Sequence, residues 1–320
     1  MIGSAGKEKR MKPAVSVVIP VFNCGEMFSK CIASLQKQTF EDFEVILVDN
    51  GSTDGSEKLA SETAVADSRF RVLHQLEGRA GAARNAGVAA ARGGFIAFID
   101  GDDTVSANYL EELYRAVTDH HADISLCGFD YYFLSDRSVK KGICLPDRSY
   151  TRDEALGMLL QDRKIKFYLW GRLFRRSLFT EHGITIRDMY YEDAAVVPQL
   201  FYFAGKAVSV SGCAYHYTRS FSKYAEVNMS VQRANDYINT IPLIRLFLEQ
   251  QGCFEQFRGK LMNHVFHVYF AMPSVVRQIK ETTKKNDRRN IRDARAKIRL
   301  CLRCSYEKLQ TLKLNKPVVE

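Results

Sequence analysis

The chain has 320 residues, 46% of them hydrophobic and 26% charged, with twenty glycines and only seven prolines. That composition supports one large core, or a core plus an appendage, and excludes disorder, a collagen-like repeat and a disulfide-stapled miniprotein. The net charge of +9 is gathered at one end: residues 277–316 hold 14 Lys/Arg against four acids, which leaves 32 basic and 33 acidic residues elsewhere, so the surplus belongs to a tail and does not by itself argue for nucleic acid.

In chain order, Val15 to Ile19 predicts a buried strand that stops at Pro20, Met27 to Gln38 an amphipathic helix, and Phe43 to Val48 a second strand, which together make a βαβ unit. Asp49 to Gly55 is a turn-rich link. A helix over 56–66, a strand over 70–74, an alanine-rich helix over 80–92 and a strand over 95–99 follow, the last ending in Asp100-Gly-Asp-Asp103. A helix over 108–119 and a strand over 123–129 continue the pattern, which then breaks into an excursion through Tyr131 to Tyr150. Beyond it lie a helix over 152–160, an aromatic-basic patch over 167–174, a helix over 192–204 and a strand over 207–214. From Val231 the chain reads as helical and increasingly basic. The expected fold is α/β, a Rossmann-like, mostly parallel sheet flanked by helices, divided as an N-terminal extension (1–13), a catalytic-sized body (14–220) and a basic helical C-terminal region (221–320).

Eight cysteines at irregular spacings predict reduced thiols in a core, and Cys301 with Cys304 forms a lone CxxC that reads as one helix face rather than a zinc or redox site. The late apolar stretch Leu261 to Val276 is broken by Asn263, His264, His267 and Pro273 and is shorter than the roughly 20 residues of a spanning helix. With a polar, basic start and neither a signal peptide nor an anchor, the expected location is cytoplasmic, with peripheral contact at the inner face of the cell membrane.

In an open α/β sheet the loops at strand carboxyl ends share one crevice, so 20–24, 49–55 and 100–104 should converge. Neither G-x-G-x-x-G nor a P-loop is present, so phosphates would be held through a divalent cation, Mn2+ or Mg2+, on carboxylates of the Asp100-Gly-Asp-Asp103 turn; the bland alternative is a turn and helix cap. Asp49 could accept from a base or ribose, or close an Asx-turn into Gly51. Arg84, and the Gly78-Arg-Ala-Gly81 loop before it, could face phosphate.

Four segments in order, Val17-Val-Ile-Pro-Val-Phe-Asn23, Val48-Asp-Asn-Gly-Ser-Thr-Asp54, Ala83-Arg-Asn-Ala-Gly87 and Phe98-Ile-Asp-Gly-Asp-Asp103, resemble the family 2 inverting glycosyltransferases with the GT-A fold, over roughly residues 14–217. The resemblance implies a nucleotide-sugar donor, most often a UDP-sugar, held by Pro20, Val21, Phe22, Asp49, Arg84, Asp100 and Gly101. It also implies a metal at Asp100 and Asp102, with His216 as a further candidate ligand, and a catalytic base at Asp193, the second residue of the Glu192-Asp193 pair. Trp170, in a stretch similar to bacterial capsule and exopolysaccharide transferases, and Glu192 are the acceptor-side candidates, Trp170 being equally a core residue. The implied acceptor is a hydroxyl on a growing surface glycan or a lipid-linked molecule. Two other classes stay open: a non-catalytic module on the same fold, whose working surface would be the basic tail, and a nucleotidyltransferase, which would resemble a different first loop. The tail itself reads as a solvated helix face or as a seat on anionic membrane, with no nucleic-acid motif beside it.

Overall fold

The computed structural model describes residues 12–75, 79–219, 231–262 and 264–265. The basic stretch 277–316, Cys301, Cys304 and most of the N-terminal extension lie outside the described residues. The fold is the expected α/β arrangement: one mixed, mostly parallel sheet with helices on both faces.

The first half is doubly wound. Strands β1 (Val15–Val21), β2 (Phe43–Asp49), β3 (Phe70–His74) and β4 (Phe95–Phe98) alternate with helices α1 (Glu26–Gln36), α2 (Ser56–Ala66) and α3 (Ala80–Ala90). They pair in parallel in the order β3-β2-β1-β4. Strand alternation sorts their side chains onto two faces. Val18, Ile46 and Val48 face one core, while Val15, Val17, Ile19, Phe43, Val45 and Leu47 face the other. Glu44 is buried at the start of β2, where burial opposes its charge. Arg92, Ser16 and Arg71 hydrogen-bond it and hold it below the usual carboxylate range.

The second half adds β5 (Thr104–Val105), α4 (Tyr109–Asp119), β6 (Ile124–Phe133), β7 (Val139–Ile143), β8 (Arg148–Thr151), α5 (Arg152–Leu160), β9 (Arg172–Arg175), α6 (Ser177–Thr180), α7 (Glu192–Phe203), β10 (Lys206–Arg219) and α8 (Val231–Gln250). Strand β9 runs antiparallel between β4 and β6, and β10 lies parallel to β6. Ile238, Ile241, Ile244 and Leu248 of α8 enter the same core as Leu156 of α5 and Val197 of α7. No helix among the described residues is long and apolar enough to cross a membrane.

Three sequence expectations are corrected. Strand β1 continues through Pro20 to Val21, because β4 pairs with it only as far as Val18 and the missing N–H of Pro20 falls where that side has no ladder to lose. The 131–150 excursion is part of the sheet: β6 runs on to Phe133 and turns back through β7, and β8 pairs with β10. Strand β10 does not end at Ala214. An irregularity between Val210 and Ala214 absorbs the register, and the strand continues to Arg219, so Tyr215 to Arg219 lies within it.

Candidate functional site

The loops after β1, β2 and β4 meet at one edge of the sheet, as the parallel topology requires. The first two are knitted together: Thr53 N–H donates to Asn23 Oδ1 (2.8 Å), Gly25 N–H to Asp54 Oδ2 (2.8 Å) and Cys24 N–H to Ser56 Oγ (3.2 Å). They form one end of a crevice of about 730 Å3, walled by Pro20, Val21, the exposed ring of Phe22, and Asn50. Asp49 does not line it. The residue is 2% exposed and its carboxylate accepts from the N–H groups of Gly51 and Ser52, both at 3.2 Å, which is the Asx-turn alternative; its neighbour Asn50 supplies the wall instead.

The Asp100-Gly-Asp-Asp103 loop forms the floor, and its carboxylates divide their work. Asp103 is fully buried and accepts from Tyr215 Oη (2.6 Å) and the Thr218 N–H (2.7 Å), while Tyr215 Oη accepts from the Asp100 N–H (3.1 Å). Strand β10 thereby fixes the loop from behind. Burial, then the charges of Asp100 and Asp102, push the Asp103 carboxyl well up. Asp100, Gly101 and Asp102 line the crevice. The Asp102 side chain reaches solvent, yet the desolvating walls and then the charge of Asp100 push its carboxyl up to about 6. A Cβ on Gly101 would sit 2.6 Å from Cys24 Sγ, so only glycine lets the two loops close together.

Arg84 ties this floor to the opposite wall. Its guanidinium is buried, pairs with Asp100 at 2.7 Å and bonds Glu192 on the other side. Burial works against its charge, but Asp100, Glu192 and Asp193 overcome that and raise it. Helix α3 carries Arg84 on the same face as Arg79, Ala80 and Ala83, all crevice-lining. That face comes close to the sheet because Gly87 packs directly on Val18.

Glu192 lines the crevice at the start of α7. Asp193, half-buried, follows it and does not itself line the crevice; its Oδ1 accepts from the Ala194 N–H (2.8 Å). Burial, then the charge of Glu192, push the Asp193 carboxyl up to about 7, although Arg84 and the Ala194 N–H pull it down. The approach to this pair, residues 187–191, is held at three points. Asp188 accepts from the Arg79 N–H (2.6 Å), Asp236 of α8 accepts from the Tyr190 N–H (2.9 Å), and the guanidiniums of Arg79 and Arg233 lie 4.2 and 4.6 Å from the centre of the Tyr190 ring. Tyr190 and Arg233 had no motif to announce them, and Asn50 lies within the Val48–Asp54 segment, where the expectation fell on its neighbour Asp49 instead. Arg79 had one signal, its place in the loop before the alanine-rich helix; Gly78 of that loop lies outside the described residues.

Besides Asp49 and Asp193, two further candidates do not line the crevice. Trp170 is a core residue: Tyr168 and Tyr215 stack on it at 4.2 and 4.4 Å, Phe129 meets it edge-on at 5.2 Å, and its stacked faces are covered. His216 does not line the crevice. The pleat of β10 directs it to the opposite side from Tyr215, beside Asp130 at 3.9 Å, and burial lowers its affinity for a proton while Asp130 opposes this.

Asp100 and Asp102 both line the crevice, and two carboxylates side by side are the hard oxygen donors a divalent cation takes. Among the described residues no three His, Cys, Asp or Glu side chains converge to complete a metal shell. A two-carboxylate floor therefore fits a cation that shares its remaining positions with substrate phosphates and water.

The model of glycosyl transferase family 2 matches residues 16–183. A cholesterol galactosyltransferase of Borreliella burgdorferi is 30% identical over 269 residues, which cover 81% of this chain and 74% of that protein. Among solved structures, S. aureus TarS 1-349 in complex with UDP-GlcNAc superposes with a TM-score of 0.66 at 20% identity, covering 92% of this chain and 91% of that one. The mannosyltransferase PcManGT from Pyrobaculum calidifontis, in complex with GDP-Man and Mn2+, gives 0.55 at 15%, covering 95% and 84%. The fold is thus the GT-A fold. With its family match spanning the loops that build the crevice floor, the chain belongs to glycosyl transferase family 2 and is a glycosyltransferase.

Proposed function

We propose that this enzyme transfers a sugar from a UDP-sugar, with inversion, to a hydroxyl of a surface glycan or a lipid-linked acceptor. The observation that carries the reading is the Glu192-Asp193 pair. It stands at a helix start, coupled through Arg84 to the Asp100 floor, with the second carboxyl raised to about 7. Such a carboxyl is ionised at neutral pH in a large fraction of molecules yet basic enough to take a proton, as a general base needs.

In the proposed mechanism Asp193 removes the acceptor proton as the hydroxyl attacks the anomeric carbon, and the C–O bond to the diphosphate breaks on the opposite face. Asp100 and Asp102 would hold a divalent cation, which when bound supplies charge neutralisation to the leaving diphosphate. The roles of this chain's residues are then distinct. Pro20, Val21, Phe22 and Asn50 wall the nucleoside end, and Asp49 keeps the shape of the loop that presents Asn50. Arg84 sets the spacing between floor and base through its two carboxylate partners. Support for uridine comes from the UDP-GlcNAc complex of TarS, and support for a lipid hydroxyl from the relative named for cholesterol. The GDP-Man complex of the second neighbour makes nucleotide choice the point to test.

Calorimetric titration with UDP and GDP, each with and without Mn2+, should show Mn2+-dependent preference for UDP. In the same protein Asp193→Asn should retain UDP binding within about threefold while sugar transfer from a panel of UDP-sugars falls by two or more orders of magnitude. Transfer by Asp193→Asn at the wild-type rate would remove the assigned base, and equal affinity for GDP would remove the uridine preference.

A further inference from the structure

Ala97 of β4 and Ser125 of β6 both pair with Leu173 of β9, so β6 runs parallel to β4 at the same level. Strand β6 then continues eight residues past Ser125 to Phe133, about 26 Å at ~3.3 Å per residue, whereas β4 ends at Phe98 and gives way to the crevice floor. The β6–β7 hairpin therefore overhangs the edge of the sheet on which the crevice opens.

The chemistry of this overhang differs from that of the crevice. Val139 is 60% exposed and Leu134 37%, two of the four exposed large apolar residues among the described residues. Exposed Arg137, Lys140 and Lys141 accompany them, and the one acid between Phe133 and Lys141, Asp136, is turned back to accept from the Ser138 N–H (3.0 Å). Behind the tip is a collar of half-buried rings with cations laid on them: Lys140 Nζ lies 5.0 Å from the Phe133 ring, and the Arg219 guanidinium 4.8 and 5.4 Å from Tyr217 and Tyr131. Exposed aliphatics at a tip, cations beside them and an aromatic collar behind reproduce, in order of depth, what a lipid interface offers: acyl chain, anionic headgroup and the wet boundary layer. A polar glycan would leave Leu134 and Val139 without a partner.

We propose that the β6–β7 hairpin is a membrane-contact surface that seats the enzyme on an anionic bilayer, with its crevice opening toward that bilayer. The seat rests on the hairpin itself; its use in reaching a lipid-borne acceptor rests on the function proposed above. The basic stretch 277–316 is a separate source of membrane affinity, so the test must report on the hairpin locally. The chain has one tryptophan, Trp170, and it is buried, so Val139→Trp in the full-length protein places a reporter at the tip. Vesicles of phosphatidylcholine, alone or with about one-third phosphatidylglycerol, would carry bromine on their acyl chains. The expected result is a blue shift and quenching of the added tryptophan on anionic vesicles only. Arg137→Glu with Lys140→Glu and Lys141→Glu should lower vesicle partitioning about tenfold or more, since each cation near the surface contributes separately. An unquenched reporter on protein that sediments with the vesicles, unchanged partitioning of the triple variant, or no vesicle binding at all would overturn the proposal. None of these readouts involves nucleotide, so a failed UDP titration would strike the donor reading and leave this one standing.

Discussion

Gly101 has space for a hydrogen and for nothing larger. A methyl group there meets Cys24 Sγ at 2.6 Å and the Pro20 carbonyl at 3.4 Å, and the two loops it would separate are the nucleoside wall and the carboxylate floor. Gly101→Ala should weaken UDP binding about tenfold or more by spreading them, and Cys24→Ala in the same chain should recover most of the loss. Titration of the four proteins of that cycle checks this; a double variant no better than Gly101→Ala would mean that the backbone conformation, and not the thiol, sets the requirement. At this scale the sequence was legible where a residue type is chemically committed. Asp100, Asp102, Arg84 and Glu192 line the crevice as expected. Asp49 and Trp170 were ambiguous because their types serve two ends equally: an aspartate before Asn-Gly closes a turn as readily as it meets a ligand, and a tryptophan among tyrosines stacks as readily in a core as on a sugar. Only three-dimensional neighbours decide such cases.

Among the elements, α8 reaches the site from late in the chain. Asp236 receives the Tyr190 N–H, stands 3.8 Å from the Arg79 guanidinium, and so links a helix late in the chain to the segment that delivers Glu192 and Asp193. Tyr191, next to it, has φ +59 and packs against Tyr237. Asp236→Ala should lower kcat about tenfold with a smaller change in donor KM, because it loosens the position of the base and leaves the nucleoside wall untouched; Asp236→Asn, which retains an oxygen for the Tyr190 N–H, should recover much of the rate. A pure KM effect in steady-state kinetics would refute this coupling. Helix and strand positions in the first half followed from apolar period alone, since βαβ units repeat one pattern. The misread stretch, 131–150, carries half-exposed aromatics and an edge strand in which Val139, Lys140 and Lys141 are all exposed, so both faces meet solvent and the alternation by which a strand is recognised is lost.

For the whole molecule, the raised carboxyls tie activity and stability to pH in opposite senses. Unfolded Asp titrates near 3.9, while folded Asp102 and Asp193 hold their protons to about 6 and about 7. Between roughly pH 4 and 7 the native state thus binds more protons than the unfolded one, and the contribution of these groups to stability falls as pH rises through that window and levels off above it. Transfer should do the reverse, rising with pH to a plateau above about 7 as Asp193 ionises. Asp193→Asn is accordingly expected to melt at a higher temperature than wild type at pH 8, with the difference closing near pH 4. Thermal melts at the two pH values test it, and a constant offset would show that the substitution acts through packing and not through charge.

The crevice is assembled from separate stretches of chain: lining residues between Pro20 and Asp102 supply the nucleoside wall, the floor and the α3 face, and Met189, Tyr190, Glu192 and Arg233 supply the facing wall. They are joined where Arg84 reaches Glu192, where Arg79 lies on the Tyr190 ring and where Asn85 and Arg79 hold residues 186–188, while Tyr215 fixes the floor from behind. Substitutions in one stretch can therefore drift without disturbing the other so long as that seam is kept. A hybrid chain cut within the hairpin region would have to match its two parents at Arg84–Glu192 and at Arg79–Tyr190 before one crevice could close, so the seam, and not either wall, limits how such chains recombine.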